Sequence, residues 1–254
     1  MAAQSSPATP QYFSFKDFLS EEEAATFFQL SHAQQVAKVT QYLDFLGEQP
    51  AAAQFTSSSK ASISFAALRS DGTEDEDSTI DAAILQNLLQ GRTRSGFGAF
   101  GTESGFLPQK ELSLAVANTV EEIGHTYIVE RNKRGAVKPP VLNSRSFFFY
   151  WCHAEKQKLL DIRQKLTELG TSRDDKRKYW HRIVVVVDRS MCADCIRFAE
   201  CFACCEKISL YIRDPDVLRI FPPSSSQEVQ SIMVSADVAS MANYPVINST
   251  KGMS

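Results

Sequence analysis

The apolar positions change texture near residue 108. Before it, from Ser20 to about Leu46, they recur at helical spacing, with Phe27, Phe28, Leu30, Val39, Leu43 and Leu46 on one broad face. Ser20 and Glu23 form a capping-box pair at the start of this helix, and Gln49-Pro50 ends it. The first 12 residues read as disordered. TSSSK and the acidic run DGTEDED (71–77) read as loop, and Ile80–Gln90 as a second short helix. The stretch GRTRSGFGAFGTESGF (91–106) holds five glycines and reads as loop-rich.

After residue 108, helical and strand-like runs alternate. Gln109–Ile123 predicts an amphipathic helix with Leu112, Val116 and Val120 in register, and His125–Val129 a strand. RNKRGAVKPP turns the chain, and Phe147–Trp151 reads as a buried strand. His153–Leu169 predicts a helix with Leu159, Ile162, Leu166 and Leu169 inward. Ile183–Val187 is an uninterrupted aliphatic run, as expected of a strand covered on both faces. Cys192 to about Lys207 is a further helix with Phe198, Phe202 and Cys205 inward. Ile208–Ile212 and Val217–Phe221, joined by Asp214-Pro215-Asp216, predict an antiparallel hairpin. The order α-β-β-α-β-α-β-β implies an α/β fold, with a mixed five-stranded sheet covered by helices and a C-terminal strand hairpin. The expected organisation is a helical N-terminal extension over 1–107, a catalytic domain over 108–222 and a polar tail over 223–254.

Composition narrows the class. The chain has 254 residues, 43% hydrophobic and 22% charged, within the range of globular proteins. No apolar run is long enough to cross a bilayer, and the start MAAQSSPATPQ lacks the basic flank and apolar stretch of a secretory signal. The six cysteines cluster late in the chain rather than spreading as a disulfide framework, which points to a reducing, intracellular compartment. Net charge is −3 but uneven: residues 131–189 carry a balance of +9, and residues 1–110 a balance of −6. The segment RDDKRKYWHR (173–182) reads either as a polyanion contact or as a solvated loop.

Two short words carry the chemistry. His153-Ala154-Glu155 and Cys192-Ala193-Asp194-Cys195 each follow a strand-like run and open a helix. A parallel strand-helix-strand crossover brings such junctions to one sheet edge, so His153 and Cys192 can meet although distant in the chain. Helix starts lower nearby thiol pKa values and favour metal-binding thiolates. His153, Cys192 and Cys195 supply three ligands for Zn2+. That number suits a catalytic zinc, whose fourth position takes water. Glu155 is the carboxylate placed to shuttle protons. Cys201, Cys204 and Cys205 lie on an unbroken helical run, with Cys201 about 9 Å along the axis from Cys195. They read as packing residues, as does Cys152. His32, His125 and His181 have no comparable context and read as ordinary polar positions.

The H-x-E word with a later C-x-x-C resembles the cytidine deaminase-like superfamily. The wording His153-Ala154-Glu155-Lys156, Cys192-Ala193-Asp194-Cys195 and ISLYIRDPDVLRIF (208–221) is most similar to the DYW-type deaminase domain of plant RNA-editing factors and to related fungal and bacterial-toxin deaminases. The resemblance covers about residues 108–222. It implies the three-layer cytidine deaminase-like fold, a zinc cofactor and conversion of cytosine to uracil in single-stranded DNA or RNA. Met191 stands where the pattern has proline, which should alter loop rigidity more than ligation. No helical repeat array precedes the domain, and the chain does not end in D-Y-W. The residues also leave room for a deaminase of free nucleosides or nucleotides, a thioredoxin-like redox protein or a non-catalytic binding protein. Phe149, Tyr150 and Trp151 would stack on bases in the leading reading and belong to the core otherwise.

Overall fold

The computed structural model describes residues 15–48, 63–69, 80–96, 105–125 and 152–234. Among these, six strands form one mixed sheet in the order β2-β1-β3-β4-β5-β6. The strands are β1 (Ile63–Leu68), β2 (Thr93–Arg94), β3 (Ile183–Val187), β4 (Leu210–Arg213), β5 (Val217–Phe221) and β6 (Gln230–Met233). Only β3 and β4 pair in parallel, with Val185 opposite Ile212; the other neighbours are antiparallel.

The helices are α1 (Phe15–Phe18), α2 (Glu21–Thr26), α3 (His32–Glu48), α4 (Ala82–Leu89), α5 (Gln109–Glu122), α6 (Ala154–Glu168), α7 (Arg173–His181) and α8 (Ala193–Glu206). The main core lies between one face of the sheet and the helices. Ala66, Val185, Ile212 and Phe221 from the strands meet Leu88, Leu159, Ile162, Phe198 and Phe202 there. The other face carries a smaller cluster around Val184, Tyr211 and Leu218. Consecutive β3 residues therefore serve opposite faces, which is why Ile183–Val187 has no polar interruption.

Several expectations change. The sheet has six described strands, not five. β1 was not predicted because it lies between two polar segments and its buried positions are the small Ser64 and Ala66. It nevertheless pairs with β3 from Ser64 to Leu68. β2 arises inside the glycine-rich stretch, and β6 inside the polar tail. The long N-terminal helix is broken: α2 ends in a 3₁₀ turn over Phe27–Gln29, and Gln34 bonds the Ser31 backbone ahead of α3. The Ser20–Glu23 capping box forms as expected.

Residues 173–181 are helix rather than loop. Ser172 caps the start by accepting from the Asp175 N–H, acidic residues fill the first turn and basic ones the last, matching the helix dipole. Tyr179 and Trp180 are buried, and Trp180 packs edge-on against Phe202 at 5.7 Å. Two apolar residues in a run of charge sufficed, because α7 docks by one end. The predicted strands at 125–129 and 147–151, the loop over 71–77 and the aromatics Phe149, Tyr150 and Trp151 lie wholly or, at His125, all but the first residue outside the described residues.

Candidate metal centre

His153 is the N-cap of α6, in extended backbone conformation, and Cys192 is the N-cap of α8. Each ends the connection into its helix, so both side chains sit at helix starts. The segment around β2 fixes the first of these starts. Thr93 Oγ1 donates to the Ala154 carbonyl at 2.7 Å, and Ser95 Oγ accepts from the Ala154 N–H at 3.1 Å. The Gln157 amide donates to the carbonyls of Arg94, Gly96 and Cys152. The β3-to-α8 loop fixes the second.

The two starts converge. His153 Nδ1 lies 3.1 Å from Cys195 Sγ and 3.6 Å from Cys192 Sγ. The three donor atoms all lie within 4.8 Å of one another. Donors sharing a tetrahedral zinc at about 2.0–2.3 Å each stand about 3.3–3.8 Å apart, so only small adjustments separate this group from a zinc-bound one. Cys192 Sγ also accepts the Cys195 N–H at 3.4 Å, the helix-start bond that favours a thiolate.

The electrostatics agree. The Cys192 thiol is pulled down to about 4, first by the hydrogen bond from Cys195, then, against burial, by His153. Burial, the same Cys192 bond and the charge of Glu155 push the fully buried Cys195 well above its ordinary value. For His153, burial opposes protonation, but the bond to Cys192 and the Glu155 charge outweigh it and raise its pKa. Without metal the group thus holds a thiolate beside proton donors, and a cation entering it displaces protons. Metal uptake should weaken as pH falls.

Glu155 occupies the first turn of α6 and is 5% exposed. Its charge is felt at both His153 and Cys195. Its Oε2 is buried and has no hydrogen-bond partner among the described residues. Such an atom has a cost unless something polar meets it. A metal-activated water beside the three donors fits that need, and the donor set is one that zinc favours.

A buried charge group lies immediately behind. Lys156 pairs with Asp194 Oδ2, and His125 Nε2 lies 3.2 Å from Asp194 Oδ1. Lys156 Nζ stands 5.1 Å from the Phe198 ring centroid, and His125 packs edge-on against the same ring. All three polar residues are under 5% exposed. His125 is therefore no ordinary polar position, which corrects the expectation. Asp194 lies inside one of the two words and Lys156 directly follows the other, both as charges at inward positions of helix starts; His125 gave no signal.

The remaining titratable groups sort as packing. Cys152 is fully buried, and burial pushes its thiol up to about 12. Cys201 and Cys204 direct their sulfurs to the Gly124 and Pro222 carbonyls. All six cysteines are described, and none forms a disulfide. His32 bonds the Ala117 carbonyl, and His181 faces Arg69 and Tyr211. A second cluster of Glu122, Cys205 and Glu206 is laced by Arg163, which neutralises both carboxylates.

Met191 carries a consequence for loop rigidity. Its N–H donates to Asp214 Oδ2 at 3.2 Å, a bond that proline could not make. Asp214 is buried, accepts from the N–H groups of Asp216 and Val217 and pairs with Arg219. It ties the turn after β4 to the residue before Cys192. Burial opposes its charge, but Arg219 and these N–H groups outweigh burial and hold it below the usual aspartate range. Its stabilising share is complete above the ordinary aspartate pKa and is lost as pH falls through the lowered folded value. Asp214→Ala strands Arg219 and three N–H groups, so a loss of about 3 kcal/mol in chemical denaturation is expected. A loss below about 1 kcal/mol would show that the loop holds without it.

Residues 92–159 match the family model described as single-strand DNA deaminase toxin A, C-terminal. This segment is similar to a toxin-type deaminase family. The match runs from β2 to the first turns of α6 and so contains Thr93, Ser95, Gln157, His153 and Glu155, while Cys192 and Cys195 lie beyond it. The toxin type is among the deaminase branches that the sequence resembles. No curated protein matches the chain. Among the described residues, no helix is long and apolar enough to cross a membrane.

Proposed function

We propose that this protein is a zinc-dependent hydrolytic deaminase that converts cytosine to uracil in single-stranded nucleic acid. The convergence of His153, Cys192 and Cys195 beside the partnerless Oε2 of Glu155 carries the reading. Three donors are what a catalytic zinc takes from its protein. The matched family, described as a single-strand DNA deaminase toxin, favours DNA over RNA as the substrate.

His153 Nδ1 and the two sulfurs would hold the ion. Zinc bound there supplies Lewis acidity that brings the pKa of water from 15.7 to roughly 7. Glu155 Oε2 takes a proton from the attacking water and delivers it to ring nitrogen N3. Glu155 then passes the second proton to the departing amine, so that water and cytosine give uracil and ammonia. Gln157, Thr93 and Ser95 keep the α6 start, and hence Glu155, in place during both transfers. The catalytic unit extends back to β1, a reading supported by its pairing with β3 over Ser64–Leu68. An intracellular setting is supported by six cysteines outside any disulfide.

The test is incubation of the purified protein with single- and double-stranded DNA and RNA, and with free cytidine and its phosphates, followed by sequencing or product analysis. C-to-U conversion confined to single strands is expected, with DNA turned over faster than RNA. Turnover of free nucleosides with none on oligonucleotides would replace the substrate class while keeping the chemistry. No turnover of any cytosine compound by zinc-loaded protein would end the reading.

A further inference from the structure

The two helix starts that carry the donors come from opposite ends of a stretch of about 40 residues, and each brings a buried charge of opposite sign. Lys156 follows Glu155 directly and lies three residues past His153. Asp194 lies between Cys192 and Cys195. Their ion pair crosses from α6 to α8 with both side chains essentially removed from water, at 1% and 2% exposure. His125 and the Phe198 ring pack against the pair.

A pair this deep is a poor source of net stability, because burying two charges costs about as much as their attraction returns. A salt bridge kept here is better explained by what it positions. With zinc bound, the centre would concentrate negative charge: two thiolates and Glu155 would face one dication, with Asp194 close by. Lys156 is the cation among these groups.

We propose that Lys156 is a positioning residue of the metal centre, clamped by Asp194. It fixes the α6 start against the α8 start so that His153 and the two cysteines share one point, and its ammonium offsets the anionic charge gathered there. The inference rests on the zinc reading above. Outer-shell partners of this kind typically change metal affinity 10–100-fold.

The experiment compares wild type with Lys156→Met, Asp194→Asn and the double variant. Three readouts are taken: zinc affinity by chelator competition, the visible spectrum of the Co2+-loaded protein, and the melting temperature of the metal-free protein. Lys156→Met should bind zinc 10–100-fold more weakly, with shifted Co2+ bands, and should melt lower because Asp194 is left buried and charged. The double variant removes that stranded charge. It should regain most of the lost melting temperature while its zinc affinity and Co2+ bands stay altered. Asp194→Asn keeps the side-chain shape and is read in the same way if Lys156→Met does not fold. A double variant that recovers stability and zinc affinity together would reduce the pair to packing and overturn the proposal, as would wild-type affinity and bands in every variant. Wild-type protein that takes up no zinc would instead overturn the underlying metal reading.

Discussion

Glu155→Ala is expected to keep its zinc and lose C-to-U conversion by at least roughly 10²–10⁴-fold, the usual contribution of a placed general acid–base. The two halves of that outcome separate the roles open to a carboxylate beside a metal. His153, Cys192 and Cys195 form the donor group without Glu155, so removing it should leave metal content near one per chain. Its Oε2 is nevertheless buried with no hydrogen-bond partner among the described residues. Glu155→Gln sharpens the test. The amide keeps the shape of the side chain and one acceptor, but cannot take a proton. Loss of conversion in both variants with zinc retained assigns proton transfer; full activity in either would sink that role. Zinc lost along with activity would make Glu155 a ligand instead.

Removing the metal should be as decisive. Chelation is expected to abolish conversion, and added zinc to restore it. Cys195→Ala should lower zinc affinity by more than the 10–100-fold typical of an outer-shell partner, because it deletes one of three donors. The folded state should survive chelation. The main core of Phe198, Phe202, Ile162, Trp180 and their neighbours is built around the sheet rather than around the donors. Zinc should then act as a stabilising ligand, adding about 2.7 kcal/mol when free zinc stands at 100 times its dissociation constant. A melting temperature that ignores zinc, or activity that persists in Cys195→Ala, would contradict the centre described above.

The six strands and their helices were unequally visible in the chain. Where an apolar period ran long, as in α5, α6 and α8, the helices stand within one or two residues of expectation. Ile183–Val187 and the β4–β5 hairpin were equally legible. β1 was hidden because its inward residues are small, and α7 because two buried aromatics anchor an otherwise charged helix. β2 is two residues long and acquires meaning only through its partners β1 and α6. Met191, which stands where the resembled pattern has proline, donates its N–H to Asp214, a partner that no local pattern announced.

The amino-acid order by itself determined the chemistry: an imidazole, two thiols three residues apart and a carboxylate, each at the start of a helix whose dipole favours anions. Residue types and helical spacing are local properties, and they survive in a linear string. The fold decided everything that depends on distance between remote segments. It brought His153 within 3.1 Å of Cys195, turned Ser95 and Thr93 into supports for the α6 start, and buried His125 against Asp194. It also joined Lys156 to Asp194 across the two words. Such contacts follow from which strands pair and which faces they bury, a long-range choice that no local pattern encodes.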